Sequence, residues 1–190
     1  VDAFIDLVHR LLTKQGVPST SIFRSSRIDL PGFFRPDKRW DIVIVHRGTL
    51  IACAEFKSQV GSFGNNYNNR IEEAIGNAQD IRTAYREGAF ASSPSPWVGF
   101  FMVLQESSGS LAPVRVAESH FPVFEEFRSA SYAKRYEESL RRLVRERLYD
   151  RACLLLTGGP DSYREPCVEL SAKRFAVSLL SHWMASKEAE

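Results

Sequence analysis

Two charged residues end an otherwise apolar run. Glu55 and Lys57 flank Phe56 in Ala54-Glu-Phe-Lys57, closing a stretch that starts at Leu50. Residues at i and i+2 of a strand point to one face, so carboxylate and ammonium should project together. A β-branched run, Asp41-Ile-Val-Ile-Val45, precedes it, with 13 residues between Asp41 and Glu55. His46-Arg-Gly-Thr49 between the runs reads as a turn, which makes the pair a β-hairpin. Counted outward from that turn, Asp41 falls opposite Ala54 or Glu55, and the loop length decides which. All three charges then gather at the open end of one hairpin.

A charge buried in a sheet costs several kcal/mol unless it is paired or metal-bound. Two converging carboxylates raise each other's pKa unless a cation stands between them. Mg²⁺ suits such a place, since it accepts one or two carboxylates and completes its shell with water and phosphate oxygens. The expectation is that Asp41 and Glu55 hold Mg²⁺, with the Phe56 carbonyl as a further ligand. Lys57 would orient the attacking water or offset charge on a phosphorane. That combination is suited to phosphodiester hydrolysis. The alternative is a structural ion pair at a strand end, because Asp and Glu-X-Lys are common residues.

Directly after this strand come Asn65, Asn66, Asn68, Asn69 and Arg70. Asn can pair with adenine N6 and N7, and Arg with guanine O6 and N7. A block of them beside a metal site is a candidate DNA contact, and Gln59 joins it on position alone. The alternative is that Asn and the nearby glycines supply turn geometry, with one Asn capping the next helix.

The elements that must position these residues can be read from periodicity. Residues 1–15 read as a helix carrying Phe4, Ile5, Val8, Leu11 and Leu12, stopped by Gly16 and Pro18. Residues 19–38, with Pro31, Gly32 and Pro36, read as an irregular approach. The hairpin runs are continuously apolar, which predicts strands covered on both faces. Residues 58–69 read as a polar loop, followed by a helix over 69–87 whose face is Ile71, Ala74, Ile75, Ala78, Ile81 and Tyr85, with Gly88 at its C′ position. A loop at 92–96 leads to a buried strand over 98–104. Residues 120–127 read as irregular and 132–149 as a helix. Lys134, Arg135, Arg141, Arg142, Arg145 and Arg147 are interleaved there with Glu137, Glu138 and Glu146 as a solvated face. Gly158-Gly159-Pro160 reads as a turn, and 172–184 as a last helix. The expected fold is α/β, with a central mixed β-sheet flanked by helices, in one domain over 1–190.

Bulk properties exclude little. The chain has 190 residues, 44% hydrophobic and 25% charged, with a net charge of +2. That composition argues against disorder, and the charge is neutral on nucleic-acid binding because a local patch can serve. Cys53, Cys153 and Cys167 lack the spacing of a zinc or dithiol site, and their sparse, odd count fits the cytoplasm. No apolar stretch reaches membrane-helix length, so no membrane is expected. His46 lies in the turn and His120 has no visible partner, so neither is assigned a role. The chain begins at Val1, not Met, so an upstream segment is part of the expectation.

The Asp41 and Glu55-Phe56-Lys57 pattern resembles the PD-(D/E)XK nuclease superfamily; the pair Pro36-Asp37 precedes the strand, and Asp41 is preferred. Leu30-Pro-Gly-Phe-Phe-Arg-Pro36, Trp40-Asp41, residues 55–61, the stretch 63–74, His120-Phe-Pro-Val-Phe124 and residues 131–136 resemble the XhoI type of restriction endonuclease. The resemblance covers most of the chain. It implies a restriction-endonuclease-like core and a Mg²⁺-dependent type II enzyme of restriction-modification. It further implies a homodimer that cuts double-stranded DNA at a short palindrome, CTCGAG for the type members. A repair or recombination nuclease of the same superfamily, or a non-catalytic DNA-binding module of that fold, is the alternative. Superfamily members often take another acidic ligand from an upstream helix. Asp2 and Asp6 are the candidates, each also readable as a solvated helix residue.

Overall fold

The computed structural model describes residues 2–91, 93–159 and 162–188. Its elements in chain order begin with α1 (Asp2–Lys14), β1 (Ile22–Phe23), β2 (Asp29–Pro31), β3 (Asp37–Arg39), β4 (Ile42–His46) and β5 (Thr49–Gln59). There follow α2 (Phe63–Arg86), β6 (Trp97–Gln105), α3 (Ser108–Leu111), α4 (Tyr132–Arg145), β7 (Arg151–Gly159), β8 (Ser162–Arg164) and α5 (Ala172–Glu188). Six strands form one mixed sheet in the order β1-β4-β5-β6-β7-β8, and β2 and β3 form a separate small ribbon. Strands β5, β6 and β7 run parallel, whereas β4 and β8 pair antiparallel with their neighbours. The expected α/β class and mixed sheet are observed.

Continuous apolar strands are explained by two cores, one on each face. Val43, Cys53, Val98, Phe100, Met102 and Leu154 pack under α2 and α4. Ile42, Ile44, Phe56, Phe101, Cys153 and Leu155 pack under α1 and α5 with Phe175 and Trp183. On the second face Gly99 leaves room for aromatic packing: a Cβ there would lie 2.4 Å from the Trp97 ring and 2.8 Å from Phe175. No described helix is long and apolar enough to cross a membrane.

The hairpin turns on Arg47 and Gly48, both with positive φ (49° and 80°), a two-residue turn whose twist matches its strands. His46 is the last residue of β4 and pairs with Thr49. Its Nδ1 lies 2.8 Å from the Ser21 hydroxyl, and its ring meets Trp183 edge-on. The pairing shifts by one residue between Ile44 and Val45, a β-bulge that leaves Ile51 as the extra residue.

Several expectations are corrected. The stretch 19–38 is not irregular throughout but contributes β1 and the β2–β3 ribbon. Strand β5 continues past Phe56 to Gln59. Helix α2 begins at Phe63, so residues 63–69 are helical, because Phe63 and Tyr67 bury their rings against Tyr132 and Tyr136. That packing outweighs the weak helix propensity of Asn and Gly. Ile75, assigned to the buried face of α2, is exposed. Gly88 sits at C′ as expected: its N–H and that of Ala89 return to Tyr85 and Ala84. Helix α4 stops at Arg145 because Arg147 turns left-handed (φ 59°) and the Leu148 N–H returns to the Leu143 carbonyl. Residues 148–149 then lead into β7, a central strand absent from the sequence reading. Gly158 and Gly159 end β7 instead of forming a turn, and Val1, Ser92 and Pro160 lie outside the described residues.

Candidate active site

The bulge decides which residues meet. Below it Val43 pairs with Cys53 and Ile42 with Ala54; without the extra residue Ile42 would stand opposite Cys53 instead. Cross-strand partners share a face, as do residues two apart on a strand, so the Val43–Cys53 pair puts Asp41 on the side of Glu55 and Lys57. The Asp41 N–H donates to the Ala54 carbonyl (3.2 Å), and Asp41 Oδ2 accepts from the Phe56 N–H (2.7 Å). Burial raises the Asp41 pKa most; the Phe56 N–H lowers it, the Glu55 charge raises it further, and Lys57 and Lys38 pull it down, for a net rise.

Glu55 is 3% exposed. Lys57 Nζ lies 2.5 Å from its Oε1 and Lys38 Nζ 2.5 Å from its Oε2. A buried carboxylate is tolerable with two ammonium partners. Lys38 went unrecognised in the sequence because it belongs to β3, outside the hairpin. Its ammonium also stands 4.7 Å from the Trp40 ring centre and donates to the Arg39 carbonyl. The signal that could have found it is the basic residue two positions before a buried Trp, directly ahead of Asp41. Phe56 itself points the other way, stacked on Phe101 at 5.1 Å, so only its backbone faces the charged end.

Two carboxylates, that of Asp41 raised in pKa by burial and its neighbour's charge, offer hard oxygen donors beside the Lys38 and Lys57 ammonium groups. That fits Mg²⁺, which keeps waters and needs few protein ligands. Among the described residues no cluster of three or more His, Cys, Asp or Glu is assembled. Asp6 pairs instead with Arg24 and Asp2 is exposed, so neither brings a third carboxylate.

The flanking polar block divides. Gln59 is 4% exposed; its amide donates to the Gly61 and Ser62 carbonyls (3.3 Å each), and its Oε1 accepts from the Tyr136 hydroxyl. It fixes the turn from β5 into α2 and presents nothing outward. Gly64 serves packing too, since a Cβ there would come within 2.9 Å of the Tyr132 hydroxyl. The helix N-cap is Ser62, without a side-chain cap bond, so no Asn performs that role. Asn65, Asn68 and Asn69 fall at i, i+3 and i+4 on an exposed stripe of α2. Asn66 and Arg70 are half-buried beside them, and Arg70 pairs with Glu73 at 2.8 Å. On α4 the solvated face is corrected at Arg135, which is buried and donates to the Ala130 and Val114 carbonyls. Arg141 and Arg142 do pair with neighbouring glutamates. Cys53 and Cys153 are fully buried, and burial pushes both thiols up in pKa.

The family described as Restriction endonuclease XhoI matches residues 1–165. The type II restriction enzyme BstVI of Geobacillus stearothermophilus is 47% identical, the match covering 96% of this chain and 86% of that protein. The type II restriction enzyme XhoI of Xanthomonas vasicola is 41% identical over 76% of this chain and 59% of its own length. AbrI of Azospirillum brasilense, also a type II restriction enzyme, is 48% identical over 58% of this chain and 50% of its own. No solved structure matches the chain.

Proposed function

This chain belongs to the Restriction endonuclease XhoI family, and from that premise we propose that it hydrolyses duplex DNA at a short palindromic site, CTCGAG or a relative of it. The observation that carries this reading is the Asp41, Glu55 and Lys57 cluster at the open end of the β4–β5 hairpin. Asp41 and Glu55 hold Mg²⁺, with the Phe56 carbonyl as a further ligand. When bound, that ion polarises the scissile phosphate and lowers the pKa of water.

Water attacks phosphorus, one P–O ester bond breaks, and a phosphomonoester and a free hydroxyl leave. Lys57 Nζ orients that water and offsets the charge that gathers on the phosphorane oxygens. Helix α2 carries Asn65, Asn66, Asn68, Asn69 and Arg70 from the same strand end, where their amide and guanidinium groups reach the duplex. A palindrome has two equivalent strands, so a two-fold homodimer with one site per strand matches it. The cytoplasm, where foreign DNA arrives, is the proposed location.

A plasmid digested with and without Mg²⁺, followed by end-sequencing, tests the reading. Discrete fragments with common ends, formed only with Mg²⁺, are expected; a plasmid left intact at enzyme excess would count against it. A second expectation concerns Lys38, whose ammonium occupies the carboxylate that the ion must share. Lys38→Met should lower the Mg²⁺ concentration for half-maximal cleavage about tenfold, equivalent to ~1.4 kcal/mol. Calorimetric titration with Ca²⁺ should move the same way. Unchanged affinity in both would assign Lys38 to packing alone.

A further inference from the structure

The turn between β2 and β3 is built at unusual cost to display two aromatic rings. Asp80 of α2 is 3% exposed, yet its carboxylate does not serve the hairpin site. Its Oδ1 accepts from the backbone N–H groups of Phe33 (2.8 Å) and Phe34 (2.9 Å), and its Oδ2 from Arg35 Nε (2.7 Å). Arg35 also donates to Asn77 Oδ1 at 2.7 Å. The Gly32 N–H closes the loop on the Pro36 carbonyl, and a Cβ on Gly32 would lie 2.6 Å from Asp80 Oδ2. Two prolines, a glycine that nothing larger can replace and a buried carboxylate therefore fix one short turn.

What the turn holds out is apolar. Phe33 is 50% exposed and Phe34 68% exposed, and they meet edge to face at 5.0 Å. Such a pair lowers its free energy by finding cover. The surroundings indicate of what kind. Arg24, Arg27, Arg35, Lys38 and Arg39 against Asp29 and Asp37 give residues 24–39 a net charge of +3, although the whole chain carries only +2. Residues 134–147, in and just after α4, match that excess, and what sets residues 24–39 apart is their place beside the hairpin site. The same ribbon reaches the reaction centre through Lys38, 2.5 Å from Glu55. Phe34 is four residues from Lys38, so the backbone between them spans at most about 13 Å, no more than roughly four base-pair steps of duplex.

We propose that the Pro31–Pro36 turn is a wedge that enters a groove of the target duplex, where Phe33 and Phe34 press on base edges and partly unstack a step near the scissile phosphate. This rests on the DNA-cleaving reading above and extends it to a second contact surface, separate from the Asn stripe of α2. Arg24, Arg35 and Lys38 are engaged with Asp6, Asp80 and Glu55, so Arg27 and Arg39 bind the phosphates on either side. The rings supply the apolar wedge that separates easily parted steps from the rest. Rigidity is essential to such a device, since a loose loop would fold its rings back before it parted a stack.

The test uses the full chain and a duplex bearing the site read from the plasmid digest, its adenines replaced in turn by 2-aminopurine. The variant is the double substitution Phe33→Ala and Phe34→Ala, which keeps both backbone N–H groups that Asp80 accepts. With Ca²⁺ in place of Mg²⁺, the wild type should raise the fluorescence of one 2-aminopurine position severalfold. The double variant should lose that rise and cut about 100-fold more slowly, while non-specific duplex binds within twofold of the wild type. Equal fluorescence and equal cleavage would overturn the wedge. A shift from dimer to monomer in the variant would also overturn it and make the rings a contact between copies. A wild type that neither binds nor cuts duplex would remove the nuclease reading itself, an outcome distinct from either.

Discussion

An Asp41→Ala chain is expected to bind duplex DNA and leave it uncut in Mg²⁺, a loss on the order of 10³-fold or more, or about 4 kcal/mol of barrier. Alanine also strips the acceptor from the Phe56 N–H, so a structural fault could imitate the effect. Asp41→Asn separates the two causes, because its side-chain oxygen still accepts that N–H while the charge is gone. The asparagine variant should be as inactive as the alanine one and no less stable than the wild type. Burial raises the pKa of Asp41, against the lowering by Phe56 N–H, Lys57 and Lys38. An acid whose folded pKa is raised costs stability once pH exceeds the unfolded value of about 3.9, and the cost is complete above the folded value. At neutral pH without divalent ions, the asparagine variant should therefore melt at or above the wild-type temperature. Substantial cleavage by either variant would remove Asp41 from the site.

The second large effect is expected at Asp80, which touches no reacting group. Asp80→Ala removes the acceptor for three donors and should cost roughly 2–4 kcal/mol, since a broken buried pair leaves its partners unsatisfied. Arg35 is 41% exposed and can turn to water, which keeps the figure toward the lower end. The turn that Asp80 braces carries Phe33 and Phe34, so cleavage should fall as well, and urea denaturation alongside a digest reads both. The acid limb carries a further signature. Burial raises the Asp80 pKa, but the N–H of Phe34, the Arg35 side chain and the N–H of Phe33 overcome it, and the net shift is downward. A lowered folded pKa means stability that is complete above about 3.9 and lost as pH falls through the folded value. Asp80→Asn should flatten the fall of the urea midpoint across that window. A midpoint unmoved by Asp80→Ala would dispose of the brace.

Much of the fold was legible because hydrophobic periodicity reports burial directly. Helix α1, the hairpin, β6 and α5 were each readable from runs whose spacing matches one period. Strand β7 was missed although Ala152 to Leu156 is a plain apolar run, because it follows α4 so closely that the two merge into one pattern. The stop that divides them is the left-handed Arg147, and nothing in an arginine announces φ of 59°. The start of α2 was hidden for the opposite reason: Gly64 and four asparagines read locally as loop, and only the rings of Tyr132 and Tyr136, far along the chain, make residues 63–69 helical.

For the candidate site, the sequence by itself determined the chemistry on offer: Asp41, Glu55 and Lys57, one hairpin, and side chains at i and i+2 that must share a face. It left Asp41 opposite either Ala54 or Glu55. Tertiary structure set the register with a bulge at Ile51, so that the Asp41 N–H meets the Ala54 carbonyl while its carboxylate takes the Phe56 N–H on the face of Glu55 and Lys57. It also brought in Lys38 from a separate ribbon and took Gln59 out of solvent beneath Tyr136. Those decisions rest on contacts between residues distant in the chain. Backbone period 2 is local and can be read in order, whereas register and charge pairing are settled only when the strands and helices meet.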